Sequence, residues 1–305
     1  MQHREAADRT RAVRRVIWIT FVLNVVVAAS KIAYGRSADV LAIQADGFHS
    51  TTDSVNNIAG LVGIWLASHP PDEGHPYGHH KFEIVASVLV GLSLLAMAYD
   101  VVHGAVGRLM GGGTALPRIG AGAFLVLGAT LVVNVFVAAY ENRRGKELDS
   151  AFLISDALHT RSDVLVTLGV LVASVLVGLG YPIFDVLAAG VVAVFIAWAG
   201  ISVLRHNIGY LADAARVDED RVRGIVLGVP GVAGTHKIRT RGVPGAIYMD
   251  LHIQIAPHLD VVQAHEVTHW VVDALKQCID GVADVTVHTE PAQPGEPYPP
   301  LPWES

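Results

Sequence analysis

Two segments of the chain carry the same chemistry. Asp46, His49 and Asp53 in ADGFHSTTDSV, and Asp156, His159 and Asp163 in SDALHTRSDVL, both follow D-x-x-H-[ST]-x-[ST]-D. On a helix, a histidine and an aspartate four residues apart share one face. Two such helices packed together present two imidazoles and two carboxylates to one tetrahedral cation, a donor set that suits zinc. A lone polar residue in an apolar span is ordinarily a satisfied pair that glues helices. Two matched pairs are not so easily explained, because a charged group at bilayer depth costs about 2.5–3.5 kcal/mol on insertion scales and marks function. Asp46 and Asp156 read as supporting or helix-packing residues. Arg161 falls on another face, and Asp100, His103 and Asp185 sit near span ends, where capping explains them.

Three other groups hold potential ligands. Asp72, His75 and His79 cluster in HPPDEGHPYGHHKFE, where proline and glycine shape a turn; the residues fit either a surface metal site or a solvated polar loop. In AIYMDLHIQI and ADVTVHTE the strand alternation turns Ile247, Met249, Leu251, Ile253, Val285 and Val287 to a core. His252, His288 and Glu290 are left on an outer face, which is either a meeting surface for two protomers or simply solvated. His265 begins the helix face that would approach them. Finally, His265-Glu266-Val267-Thr268-His269 spells H-E-x-x-H, the zinc metalloprotease signature. Catalysis also needs a third protein ligand and an open position. No glycine–histidine continuation follows His269, and Glu290 sits at a strand end.

The elements that must position these residues follow from composition. Of 305 residues, 52% are hydrophobic and 16% charged, and the mean hydropathy is +0.44. An average soluble domain carries about 25% charged residues, so a membrane protein with a soluble appendage is expected. A net charge of -6 offers no basic stripe for nucleic acid. The single Cys278 excludes a disulfide framework and a multi-thiolate site, which leaves metal to the carboxylates and the 15 histidines. Apolar spans fall near 16–35, 39–67, 83–106, 119–140, 152–179 and 183–205, each long enough for a bilayer. Arg4, Arg9, Arg11, Arg14, Arg15, Arg143, Arg144 and Lys146 outweigh Arg36, Arg108 and Arg118 on the opposite side, so both termini are expected in the cytoplasm. Residues 1–15 then form a cytoplasmic N-terminal segment, 16–206 a six-helix membrane domain, 207–290 a cytoplasmic metal-binding dimerisation domain and 291–305 a disordered proline-rich tail. The soluble part reads helix 217–228, strands 234–241 and 246–255, helix 260–279 and strand 283–289, an αββαβ order.

HSTTD, PPDEGHPYGHHKFE, HTRSD, VAGTHKIRTR and VQAHEVTHW occur in this order over almost the whole chain, which resembles the cation diffusion facilitator family, especially its ferrous-iron and zinc efflux branch. The resemblance implies a homodimeric proton antiporter of six helices per protomer, in the inner membrane, with a cytoplasmic ferredoxin-like domain. Its transport site falls on His49, Asp53, His159 and Asp163, and its loop site on Asp72, His75 and His79. Its domain sites fall on His236, His252, His265 and His288, with Glu290 at a position often held by aspartate, and its dimer charge interlock on Lys81 and Asp213. The expected substrate is Zn2+, bound also as a structural or regulatory ligand, with Fe2+, Mn2+, Co2+ or Cd2+ as alternatives. A membrane zinc hydrolase using HEVTH and a metal-sensing scaffold are the competing classes. In this setting Glu266 reads as a surface residue and His269 as an accidental partner of His265.

Overall fold

The computed structural model describes residues 2–37, 41–110, 121–179, 181, 183–293 and 297–302. Several side chains, including those of Asp46, His49, Arg108 and Asp185, lie outside the described residues, as does the connector at 111–120 with Arg118. The chain divides into two compact units, Met1–Ile208 and Gly209–Ser305.

Six long helices make up the first unit and run just past it: α1 Gln2–Ser37, α2 Leu41–Ala67, α3 Lys81–Leu109, α4 Ala121–Glu147, α5 Ala151–Gly178 and α6 Ile183–Leu211. Their polarity is inverted relative to a water-soluble bundle. Trp18, Val26, Leu125, Val132, Val194 and Trp198 are exposed, while Thr20, Asn24, Asn57, Glu141, Asp156 and His159 are buried. That distribution suits an apolar solvent, in which polar groups must find partners inside the protein. Among the described residues, Asp8–Ser37, Lys81–Gly107, Phe124–Glu147 and Val186–Leu211 are long and apolar enough to cross a membrane. The other two, α2 and α5, are 27 and 28 residues long and carry the histidine–aspartate segments.

Packing decides which faces meet. Gly60 lies two turns beyond Asp53 on α2, and Phe152 two turns before His159 on α5. A Cβ on Gly60 would stand 2.1 Å from the Phe152 ring, so only glycine lets the two helices approach on the faces that also carry Asp53 and His159. Val13, Val16 and Ile17 of α1 join the fully buried Phe152 and Leu153 in one apolar cluster. The basic N-terminal stretch is thus part of the bundle: α1 is continuous from Gln2, and Arg9 donates to the carbonyls of Leu148 and Asp149 at 2.8 and 2.9 Å and to Glu83 at 3.2 Å.

The second unit has the expected αββαβ order: α7 Glu219–Leu227, β1 Val232–Val243, β2 Ala246–Ile255, α8 Val261–Cys278 and β3 Val282–Pro291. Asp218 caps α7 by accepting from the Asp220 and Arg221 amides at 3.0 and 3.3 Å. The strand order is β1-β2-β3. β1 pairs antiparallel with β2, and β3 returns parallel to β2 after α8. Met249, Leu251 and Ile253 pack against Val222 and Val226 of α7 and Val267, Val271 and Leu275 of α8.

The proline-rich end departs from the expectation of disorder. Gly231 donates to the Pro299 carbonyl at 2.8 Å, and Leu301 is fully buried in the domain core. At Gly231, φ is +82° and a Cβ would lie 2.6 Å from Leu301. Backbone conformation and close approach both require glycine there. Composition read the segment as a disordered proline-rich tail, but one apolar anchor, Leu301, packs into the domain core.

Candidate metal centres

The first centre joins α2 to α5. His159 Nε2 lies 3.0 Å from Asp53 Oδ1 and 3.9 Å from Asp163 Oδ2. The three side chains are 3%, 13% and 11% exposed, in the order His159, Asp53, Asp163. They form one of the groups whose ligand atoms all lie within 4.8 Å of one another. A single imidazole nitrogen held between two carboxylates can take either a proton or a divalent cation. His49 shares α2 with Asp53, one turn earlier, but its side chain lies outside the described residues.

A layer of buried polar groups, which the sequence reading missed, holds this centre. Asn24 donates to Asn57 at 2.9 Å, and Asn57 to Asp156 at 2.7 Å. Thr160 donates to Glu141 at 3.2 Å, which ties α4 to α5. Asn56 reaches His159 Nε2 at 3.5 Å and accepts from Ser93 of α3 at 3.1 Å. Asp156, expected to support or pack, sits one turn before His159 and is oriented by Asn57. The missed signal was spacing: Asn57 lies four residues beyond Asp53, whereas Glu141 reads from sequence as an ordinary charge at a span end.

The second centre is the loop between α2 and α3. His75 Nδ1 and His79 Nε2 each lie 3.4 Å from a carboxylate oxygen of Asp72. The His75 amide donates to Asp72 Oδ1 at 2.6 Å, and this bond is the main reason that the Asp72 carboxyl is held below its ordinary range. His79 is buried, and its Nδ1 contacts the Pro70 carbonyl at 3.2 Å. That contact fixes the tautomer and leaves Nε2 for a ligand, the usual arrangement behind a metal-binding histidine. Gly78, with φ +81°, makes the turn.

The third centre lies on the sheet of the second unit. In register, His236 of β1 pairs with His252 of β2, and His252 with His288 of β3. The three imidazoles form a row on the face turned away from the helices. Glu290, two residues on, accepts from His252 Nδ1 at 2.7 Å and His236 Nε2 at 3.0 Å, with His288 Nε2 at 3.7 Å. The hydrogen bond from His252 is the largest influence holding the Glu290 carboxyl below its ordinary range. His236, His252 and Glu290 bring their ligand atoms within 4.8 Å. His265 does not join them within the chain. It stands on α8, which covers the opposite face of the sheet, and its ring nitrogen meets His269 instead. Lys81 opens α3, and Asp213 follows α6 with φ +55°.

The family description "Cation efflux transmembrane domain" matches residues 17–212, and "Cation efflux protein, cytoplasmic domain" matches residues 214–292. An uncharacterised transporter of Methanocaldococcus jannaschii is 32% identical over 282 residues, 92% of this chain and 99% of the relative. Manganese efflux system protein MneP of Bacillus subtilis is 25% identical over 94% of this chain and 98% of its own length. Magnetosome protein MamB of a Magnetospira species is 28% identical over 91% and 95%. Fold and comparisons define the class first: a helical membrane transporter of divalent metal cations with a cytoplasmic helix-on-sheet domain. Within that class the chain belongs to the cation diffusion facilitator family. Its members are transporters rather than enzymes, so the protease reading of HEVTH falls.

Proposed function

We propose that the protein exports a divalent metal cation, with zinc as the preferred substrate, across the inner membrane in exchange for protons. The observation that carries this reading is the buried Asp53–His159–Asp163 group between α2 and α5. His49, carried over from the resemblance, completes a two-imidazole, two-carboxylate set. Nitrogen donors favour zinc over manganese, which prefers oxygen. A second reading, manganese export, has the printed name of the Bacillus subtilis relative in its favour.

Metal and proton compete for the same His159 nitrogen, because a metal binds only neutral imidazole and ionised carboxylate. Loading from the cytoplasm releases protons, and protonation from the other side ejects the metal. Movement of α2 and α5 relative to their neighbours exposes the site to each side in turn, each state being favoured by its own ligand. All six helices span the bilayer, both termini are cytoplasmic, and the protein works as a homodimer. Residues 16–206 form the transport domain, 207–290 the metal-binding dimerisation domain and 291–305 its proline-rich tail. The loop set Asp72, His75 and His79 and the domain set His236, His252, His265, His288 and Glu290 bind metal from the cytoplasm, the latter tightening the dimer. Lys81 and Asp213 form the dimer's charge interlock.

The test is metal uptake into proteoliposomes under an imposed proton gradient, with zinc, manganese and ferrous iron in competition. Gradient-dependent zinc flux that excess manganese leaves intact supports the zinc reading. Flux suppressed by manganese moves the substrate to the second reading, and flux indifferent to the gradient removes the antiport.

A further inference from the structure

Asn56 stands beside the buried metal-binding group without a part in its ligand set. It lies three residues beyond Asp53, on the same face of α2, and is buried. One end of its amide, Nδ2, is 3.5 Å from His159 Nε2, while the other, Oδ1, accepts from Ser93 of α3 at 3.1 Å. The next residue, Asn57, turns instead to Asp156 and Asn24. The two asparagines serve different ends.

A bond between α2 and α3 accounts for the Ser93 end of the amide. It does not account for the other end, which reaches the same nitrogen that Asp53 Oδ1 approaches at 3.0 Å. Ligand atoms about 2.0–2.1 Å from one cation stand about 2.9 Å apart at a right angle and about 3.4 Å apart at the tetrahedral angle. The spacings from His159 Nε2 to Asp53 and to Asn56 lie close to these two values. A cation held by His159 and Asp53 therefore has the Asn56 amide as an immediate neighbour.

An amide presents either an oxygen or an NH2 group, and rotation about its last bond exchanges the two. Facing a cation, the NH2 end is repelled and the oxygen coordinates. The surroundings permit the exchange. Ser93 has one hydroxyl hydrogen, within reach of Asn56 Oδ1 at 3.1 Å and of the Leu89 carbonyl at 3.0 Å. With that hydrogen on Leu89, the Ser93 oxygen accepts from Asn56 Nδ2, so the rotation leaves no buried polar group without a partner. We infer that Asn56 is a specificity-determining residue of the transport site, its amide rotating as the metal enters to add a neutral oxygen donor. Oxygen donors matter more to Mn2+ than to Zn2+, which imidazole and carboxylate already suit. Asn56 thus widens the range of metals that the site accepts. The inference rests on the proposed transport site and deepens it.

The experiment is uptake of Zn2+ and of Mn2+, each alone, into proteoliposomes under a proton gradient, read as a KM for each metal. Wild type is compared with Asn56→Leu, Asn56→Asp, Ser93→Ala and Asp163→Ala; circular dichroism checks that each is folded. The expected result is that Asn56→Leu raises the KM for Mn2+ relative to that for Zn2+ by about 10-fold, the scale on which residues around a metal site act. Asn56→Asp, which keeps an oxygen, should hold that ratio at or below the wild-type value, and Ser93→Ala should shift both metals alike. An unchanged ratio in Asn56→Leu overturns the inference, as does a wild type that carries no Mn2+. The same change of ratio in Ser93→Ala also overturns it, by tracing the effect to helix placement. If Asn56→Leu carries neither metal, Asn56→Asp decides, and a ratio above the wild-type value sinks the inference. Zn2+ flux that survives Asp163→Ala instead overturns the transport site itself, and the role of Asn56 with it.

Discussion

The buried centre in the helical unit and the exposed row on the sheet use the same two donor types in opposite surroundings. Asp53, His159 and Asp163 are enclosed by a polar layer drawn from α1 to α5, whereas His236, His252, His288 and Glu290 lie on a face open to solvent. In the first, each charge needs a partner at every moment, since water is not available to replace one. In the second, water can stand in. The buried group is therefore suited to a compulsory exchange of proton for metal, and the exposed row to reporting free metal without being required for passage.

The largest effect should come from the buried ligands. Asp163→Ala and His159→Ala should abolish zinc flux while leaving metal binding by the domain intact; domain binding lost in parallel would mean that the two regions are not independent. Next is the contact that brings the helices together. Gly60→Val should suppress flux nearly as far, because its side chain meets the Phe152 ring, at a cost typical of overpacking, about 1–3 kcal/mol. Phe152→Ala in the same molecule should recover part of the flux, and no recovery would place the damage elsewhere. Asn57→Ala, which frees Asp156, should weaken transport-site affinity by about 10–100-fold, the usual range for residues that orient ligands.

Smaller effects separate the domain. Leu301→Ala should destabilise it by about 2–5 kcal/mol, seen as faster hydrogen exchange at the Gly231 amide with zinc flux little changed. The smallest concerns Glu290. Its carboxyl is held below the ordinary range by His252, so its contribution to stability is present above the unfolded carboxylate value of about 4.3 and lost as pH falls through the lower folded value. Glu290→Gln should flatten that acid limb in thermal unfolding of the full chain. It should also weaken zinc binding to the row, which loses a carboxylate ligand.

The two regions also differ in how readable they were. Strand alternation in AIYMDLHIQI and ADVTVHTE placed His252, His288 and Glu290 on one face correctly, because a period of two leaves little freedom. The same logic says less of His265: on a helix, the pattern shows which residues share a face but not which layer that helix joins. In the helical unit, the paired D-x-x-H segments announced Asp53, His159 and Asp163. Asn24, Asn57 and Glu141 escaped notice, since an amide or a carboxyl in a span declares its partner only when the helices are packed. Leu301 escaped for a related reason: composition averages over a segment, and docking depends on a single side chain meeting a glycine.

The most direct test of the central claim is zinc uptake into proteoliposomes under an inward and then a reversed proton gradient, comparing the wild type with Asp53→Ala. The account predicts wild-type flux that reverses with the gradient and its absence in the variant. Equal, gradient-driven flux in both would contradict the assignment of Asp53, with His159 and Asp163, as the path of the metal.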